Sequence, residues 1–100
     1  MNEMKTVSTL ISPIHPGEIL SEDFLEVMGI SQNRLAKDIH VPEMLIKKIV
    51  RGKKPISDDI ALRLGRYFGM SPEFWTGLQI HYDLAVAEDE FDQNIRPVAA

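Results

Sequence analysis

The sequence predicts an all-α domain of five helices, with the last one long. Three observations predict it. Apolar residues recur at three- and four-residue spacing in five separate runs, the spacing that lines one side of an α-helix. The runs begin at residues that start or cap helices (Pro16, Ser31, Pro42, Ser57, Ser71), and Gly29, Gly52 and Gly69 close three of them. No stretch alternates as a half-buried strand would, and the loops of two to five residues suit a compact bundle.

Residues 1–14 mix polar residues, apolar residues and proline without a period and read as a flexible arm. Pro16 fits the first helical position. Glu18, Glu22 and Asp23 suit the positive end of the helix dipole. Ile19, Leu20, Phe24, Val27 and Met28 form the apolar face of this first helix. Ser31 caps the second helix, which buries Leu35, Ala36 and Ile39. Pro42 again fits the first helical position, ahead of Leu45, Ile46, Ile49 and Val50. Ser57, helped by Asp58 and Asp59, caps a fourth helix with Ala61, Leu62, Leu64 and Phe68 inward. Ser71-Pro72-Glu73 opens the fifth, whose stripe is Phe74, Trp75, Leu78, Tyr82 and Ala85. The expected organisation is an arm over 1–14, a domain over 15–87 with its motif at 31–51, and an acidic tail over 88–100 that frays.

Composition narrows the function. The 100 residues are 44% apolar and 26% charged, which suits one small domain and excludes a disordered or membrane-like chain. No apolar run approaches a membrane span, and residues 1–16 lack the sustained apolar segment of a signal peptide. With no cysteine there are no disulfides or thiolate metal sites, as expected of a cytoplasmic protein. The net charge of −4 is unevenly spread. One cation faces five carboxylates over residues 1–30, nine face four over 31–66, and one faces six over 67–100. The runs of −4, +5 and −5 put a basic centre between acidic ends, a pattern that points to a charged partner.

The basic centre holds SQNRLAK, residues 31–37, and DIHVPEMLIKK, residues 38–48. Their rhythm is helix, tight turn, helix. A helix-turn-helix needs a small residue inside its first helix, and Ala36 is there. It needs apolar residues at the turn and behind the second helix, and Ile39, Val41, Ile46 and Ile49 supply them. Glycine is usual in the turn, where one residue turns left-handed. His40 stands in that place, and histidine tolerates it at some cost. An ordinary pair of core helices is the alternative.

HPGEIL (15–20), GISQNRLAKDI (29–39), IVRGKKPIS (49–57), ALRLGRYFGMSPEFW (61–75) and LQIHYDL (78–84) go further. Through them the chain resembles the HigA/VapI antitoxins of the lambda-repressor-like, Xre-type helix-turn-helix family, from His15 to about Ala87. The resemblance implies a five-helix lambda-repressor-like domain and a homodimer that binds double-stranded operator DNA. It also implies repression of the chain's own operon and neutralisation of a HigB-type, RelE-like mRNA-cleaving toxin. The family commonly has Gly at 40, Ser or Thr at 42, and polar or basic residues at 43 and 45. Here they are His40, Pro42, Glu43 and Leu45.

Candidate DNA contacts follow. Gln32 matches the family's glutamine that contacts a backbone phosphate and buttresses the reading helix. Lys47, Lys48, Arg51, Lys53 and Lys54 are five cations in eight residues, suited to phosphates. Arg34 and Lys37 flank the groove. Glu43, Met44 and Leu45 stand where bases are read, by cytosine N4 or thymine methyl contact. Trp75, Ile80 and Leu84 on the long fifth helix are the expected interface between copies, because one small domain cannot cover all its apolar surface. His15, His40 and His81 share no metal-ligand spacing, and no nucleophile has an evident partner, so no metal, cofactor or catalysis is expected. Two other readings stand beside the antitoxin: a repressor without a toxin partner, and a protein-interaction module that has lost sequence reading.

Overall fold

A computed structural model describes residues 13–99. Among them there are five helices and no strands. The first, α1, runs unbroken through Pro16–Ile19, a π-wound stretch Leu20–Leu25, and Glu26–Met28. The others are α2 (Gln32–Asp38), α3 (Glu43–Val50), α4 (Asp58–Phe68) and α5 (Pro72–Asp89).

The helix starts mostly follow their residues. Ser31, Ser57 and Ser71 accept hydrogen bonds from the N–H groups of Arg34, Ile60 and Glu73, so each satisfies an orphan donor of the first turn. Pro16 and Pro72 occupy first-turn positions. Pro42 does not; it is the extended residue before α3, with ψ 142°, and no side chain caps that helix. α1 has an unexpected cap: His15 Nδ1 accepts from the Gly17 N–H at 2.9 Å.

Leu20, Leu35, Ile46, Ile49, Ala61, Leu64 and Trp75 are fully enclosed and form the core. Four residues expected inward are exposed, Phe74 among them at 39%. Val27 and Met28 lie at the exposed end of α1. Leu62 is exposed while Ile60, Ala61, Leu64 and Gly65 are buried. At about 100° per residue, position 62 falls roughly 130° from the centre of that buried stripe, so pitch overrides hydrophobicity.

Trp75 corrects another expectation. It is 0% exposed, with Phe24, Phe74 and Phe68 ring centroids at 4.9, 5.0 and 6.3 Å. It is the centre of the protomer's own aromatic core and presents no surface to a second copy. Ile80 and Leu84 are 59% and 62% exposed on the outer side of α5. α5 continues through Asp89, so the segment read as tail begins helical, and residues 90–99 are exposed throughout. Residues 1–12 of the expected arm lie outside the described residues.

Candidate nucleic-acid interface

α2 ends in a left-handed turn. His40 has φ 63°, the sole non-glycine with positive φ among the described residues. Its N–H reaches the Lys37 carbonyl at 3.2 Å, and the Val41 N–H reaches the Ala36 carbonyl at 3.0 Å. These two bonds form a Schellman cap with histidine in the glycine position. Arg63 of α4 donates to the Ile39 carbonyl at 2.7 Å, satisfying an oxygen the turn leaves free, while its Nε holds Asp59 at 2.8 Å. The turn is thus clamped from α4, a role the sequence reading did not assign to Arg63.

α3 ends the same way. The Gly52 N–H bonds Ile49 O at 2.9 Å and the Lys53 N–H bonds Lys48 O at 2.8 Å, with Gly52 at φ 75°. Between the two caps, α3 sorts its residues by angle. Ile46 and Ile49 are fully buried, and Leu45 and Val50 are half-buried against the core. Met44, Lys47, Lys48 and Arg51 are all exposed, and at i, i+3, i+4 and i+7 they form one outward stripe. Lys53 and Lys54 extend it, exposed, into the loop.

This geometry revises two of the expected base readers. Leu45 leans into the core, leaving Met44 as the exposed apolar side chain of the stripe. Glu43 is tied down: Asn33 Nδ2 donates to its Oε1 at 2.8 Å, and Lys47 Nζ lies 3.8 Å from Oε2. Asn33 therefore braces α2 against α3, another role missed from sequence. Arg34 is paired with Asp38 of its own helix at 3.4 Å. Asp38 also accepts from the Tyr67 hydroxyl at 2.5 Å, and this bond, more than Arg34, holds its carboxyl below the usual carboxylate range. Gln32 is half-buried at the first position of α2, and Lys37 is exposed on the same helix.

The HPGEIL residues hold α3 in place. A Cβ on Gly17 would lie 1.8 Å from the Ile49 carbonyl oxygen, so only glycine lets α1 begin against the last turn of α3. The His15 ring lies beside Gly52 and meets Tyr82 edge-on at 4.9 Å. Burial pushes the His15 imidazole below its ordinary value, against an opposing pull from Asp83. The sequence offered His15 only as a rejected metal ligand. Its position in a motif shared with the resembled family was the usable signal.

A short helix that follows a clamped turn, is braced by Asn33 at its first residue, ends in a Schellman cap and is basic on its outer side defines a DNA-binding helix-turn-helix domain. A helix-turn-helix family model matches residues 25–75. Virulence-associated protein I of Dichelobacter nodosus is 49% identical over 77 residues, spanning 77% of this chain and 71% of that protein. A Pseudomonas aeruginosa protein solved with its 18-base-pair operator DNA superposes with TM-score 0.82 at 43% identity, covering 86% of this chain and 97% of that one. P. aeruginosa antitoxin HigA, solved with the higBA promoter, gives 0.79 at 42%, covering 86% and 98%. The chain belongs to the helix-turn-helix family, in its HigA/VapI antitoxin group. No helix among the described residues is long and apolar enough to cross a membrane.

Proposed function

We propose that the chain is a DNA-binding antitoxin of a type II toxin–antitoxin module. As a homodimer in the cytoplasm it binds its own operator and represses its operon, and it neutralises a HigB/RelE-like mRNA-cleaving toxin. The observation that carries the DNA-binding part is the stripe Met44, Lys47, Lys48 and Arg51, standing outward from a helix that follows one Schellman turn and ends in another. Lys47, Lys48, Arg51, Lys53 and Lys54 contact phosphates, and Met44 offers apolar contact to a base edge. Glu43 does not oppose this, because its carboxylate is already engaged by Asn33 and Lys47. That tie removes much of the support for a module that only docks protein.

A basic toxin fits the acidic ends. Glu22, Asp23 and Glu26 are exposed on α1, near the exposed apolar pair Val27 and Met28. The segment 83–92 offers a second acidic surface. Both differ in sign from the α3 stripe, so DNA and toxin have separate places to bind.

The test is a gel shift on the DNA upstream of the chain's own gene, beside random DNA, with co-purification of the protein encoded next to it. Preference for the upstream DNA, with half-sites about 34 Å apart or a multiple of that, is expected of a two-fold dimer. Equal affinity for both DNAs would leave the interaction module as the better reading. DNA preference without a co-purifying neighbour would make the chain a repressor without a toxin.

A further inference from the structure

The loop that carries Lys53 and Lys54 is short, exposed and bounded by two different ties. Its first is the Schellman cap at Gly52 and Lys53. Its second lies beyond Pro55, which has no N–H to give. Ile56 is buried, and its N–H points to Gln79 of α5, whose Oε1 accepts it at 2.8 Å. Gln79 is 8% exposed and is the one buried polar or charged residue among those described. Its other end is also used, since Nε2 donates to Asp83 Oδ1 at 2.9 Å. One turn along, Tyr82 supports the His15 ring that lies against Gly52. A buried carboxamide with both ends satisfied holds one orientation, because turning it over would set its NH₂ group against the Ile56 N–H and its oxygen against a carboxylate.

We propose that Gln79 is a positioning residue for DNA binding: anchored by Asp83, it holds the Ile56 backbone so that Lys53 and Lys54 face the phosphates together. Gln79 touches no DNA itself. Lysine side chains on a loose loop would lose conformational entropy on every contact they made, and a pre-set loop avoids that loss. The inference rests on the reading that Lys53 and Lys54 contact phosphate.

The readout is the slope of log affinity against log salt concentration on operator DNA, which counts phosphate contacts and which a merely structural role would not move. Helix content and Tm are followed alongside. Lys53→Ala with Lys54→Ala removes four cations per dimer and should lower the slope by up to about four. Gln79→Leu should lower it toward the same value, and combining all three substitutions should lower it no further. Gln79→Glu keeps the acceptor for Ile56 but sets a carboxylate against Asp83, and should also lower the slope. Adding Asp83→Asn restores a donor facing residue 79 and should bring the slope back. A fall of two would make the affinity lost between about 50 and 200 mM salt roughly sixteenfold smaller.

A silent lysine pair would defeat the phosphate reading itself. With an active lysine pair, any of three results would overturn the role of Gln79. They are a folded Gln79→Leu or Gln79→Glu with the wild-type slope, an effect that sums with the lysine substitutions, and a folded double variant that Asp83→Asn does not rescue. If Gln79→Leu does not fold, the Glu/Asn pair decides alone.

Discussion

Gly17, the second residue of α1, lies against the carbonyl oxygen of Ile49, at a separation where a Cβ would intrude to 1.8 Å. The contact sets how closely the first helix approaches the end of α3. Gly17→Ala must push the two apart, and overpacking of this kind costs about 1–3 kcal/mol. In a domain of this size each kcal/mol is worth about 4–8 °C of Tm. A thermal melt should show the drop, with weaker operator binding, and a variant that melts like the wild type would contradict the close approach.

His40 is held left-handed at φ 63°. An L-residue there carries about 1–2 kcal/mol of strain, and glycine would return about 0.4–1 kcal/mol of that through the freer unfolded chain. His40→Gly should therefore stabilise the fold by about 0.5–1 kcal/mol in urea unfolding. His40→Val should destabilise it, since a β-branched residue suits this region least. The opposite order would mean that the turn relaxes out of its Schellman geometry.

Leu45 and Met44 are neighbours with different surroundings, one half-buried on the core and one 59% exposed. Leu45→Ala should lower stability by about 1–2 kcal/mol, below the range for a fully buried leucine, and leave DNA sequence preference alone. Met44→Ala should do the reverse, with normal urea unfolding and a loss of about 1 kcal/mol on operator but not random DNA. Competition gel shifts beside unfolding curves separate the two.

Ile80 and Leu84 lie one turn apart on the outer side of α5, both more than half exposed. If they are where two copies meet, Ile80→Asp with Leu84→Asp should sediment as a monomer and bind operator weakly while keeping its helix content. A double variant that remains a dimer would place the interface elsewhere.

His15 gives a pH signature. Burial lowers its folded-state value below the ordinary 6.5, so the unfolded chain takes up the proton first. Stability from this residue is intact above 6.5 and falls as pH drops from there through the lowered folded value. Protonation at Nδ1 would also end its bond from the Gly17 N–H. His15→Asn keeps a capping acceptor but does not titrate in this range. Its unfolding free energy should fall less than the wild type's between pH 8 and pH 5.5; parallel pH curves would show that His15 contributes nothing.

Much of this protein was determined by its sequence alone, because the signals involved are local. Helical pitch, serine caps and helix-ending glycines act within a turn or two, so all five helices, the helix-turn-helix and the left-handed place of His40 could be read directly. The reversals of charge, which place the basic centre between acidic ends, are likewise a property of order along the chain. Pairings across the chain were decided only by the tertiary structure. Leu45, Leu62 and Trp75 are all simply apolar in sequence, and the side of its helix that each occupies against its neighbours puts the first half in the core, the second in solvent and the third at the aromatic centre. Arg63 on Ile39, Asn33 on Glu43 and Gln79 on Ile56 join residues 24, 10 and 23 apart. No periodicity encodes such bonds, because they exist only once packing has brought the elements together; two of them, to Ile39 and Ile56, satisfy backbone groups that the fold takes out of water.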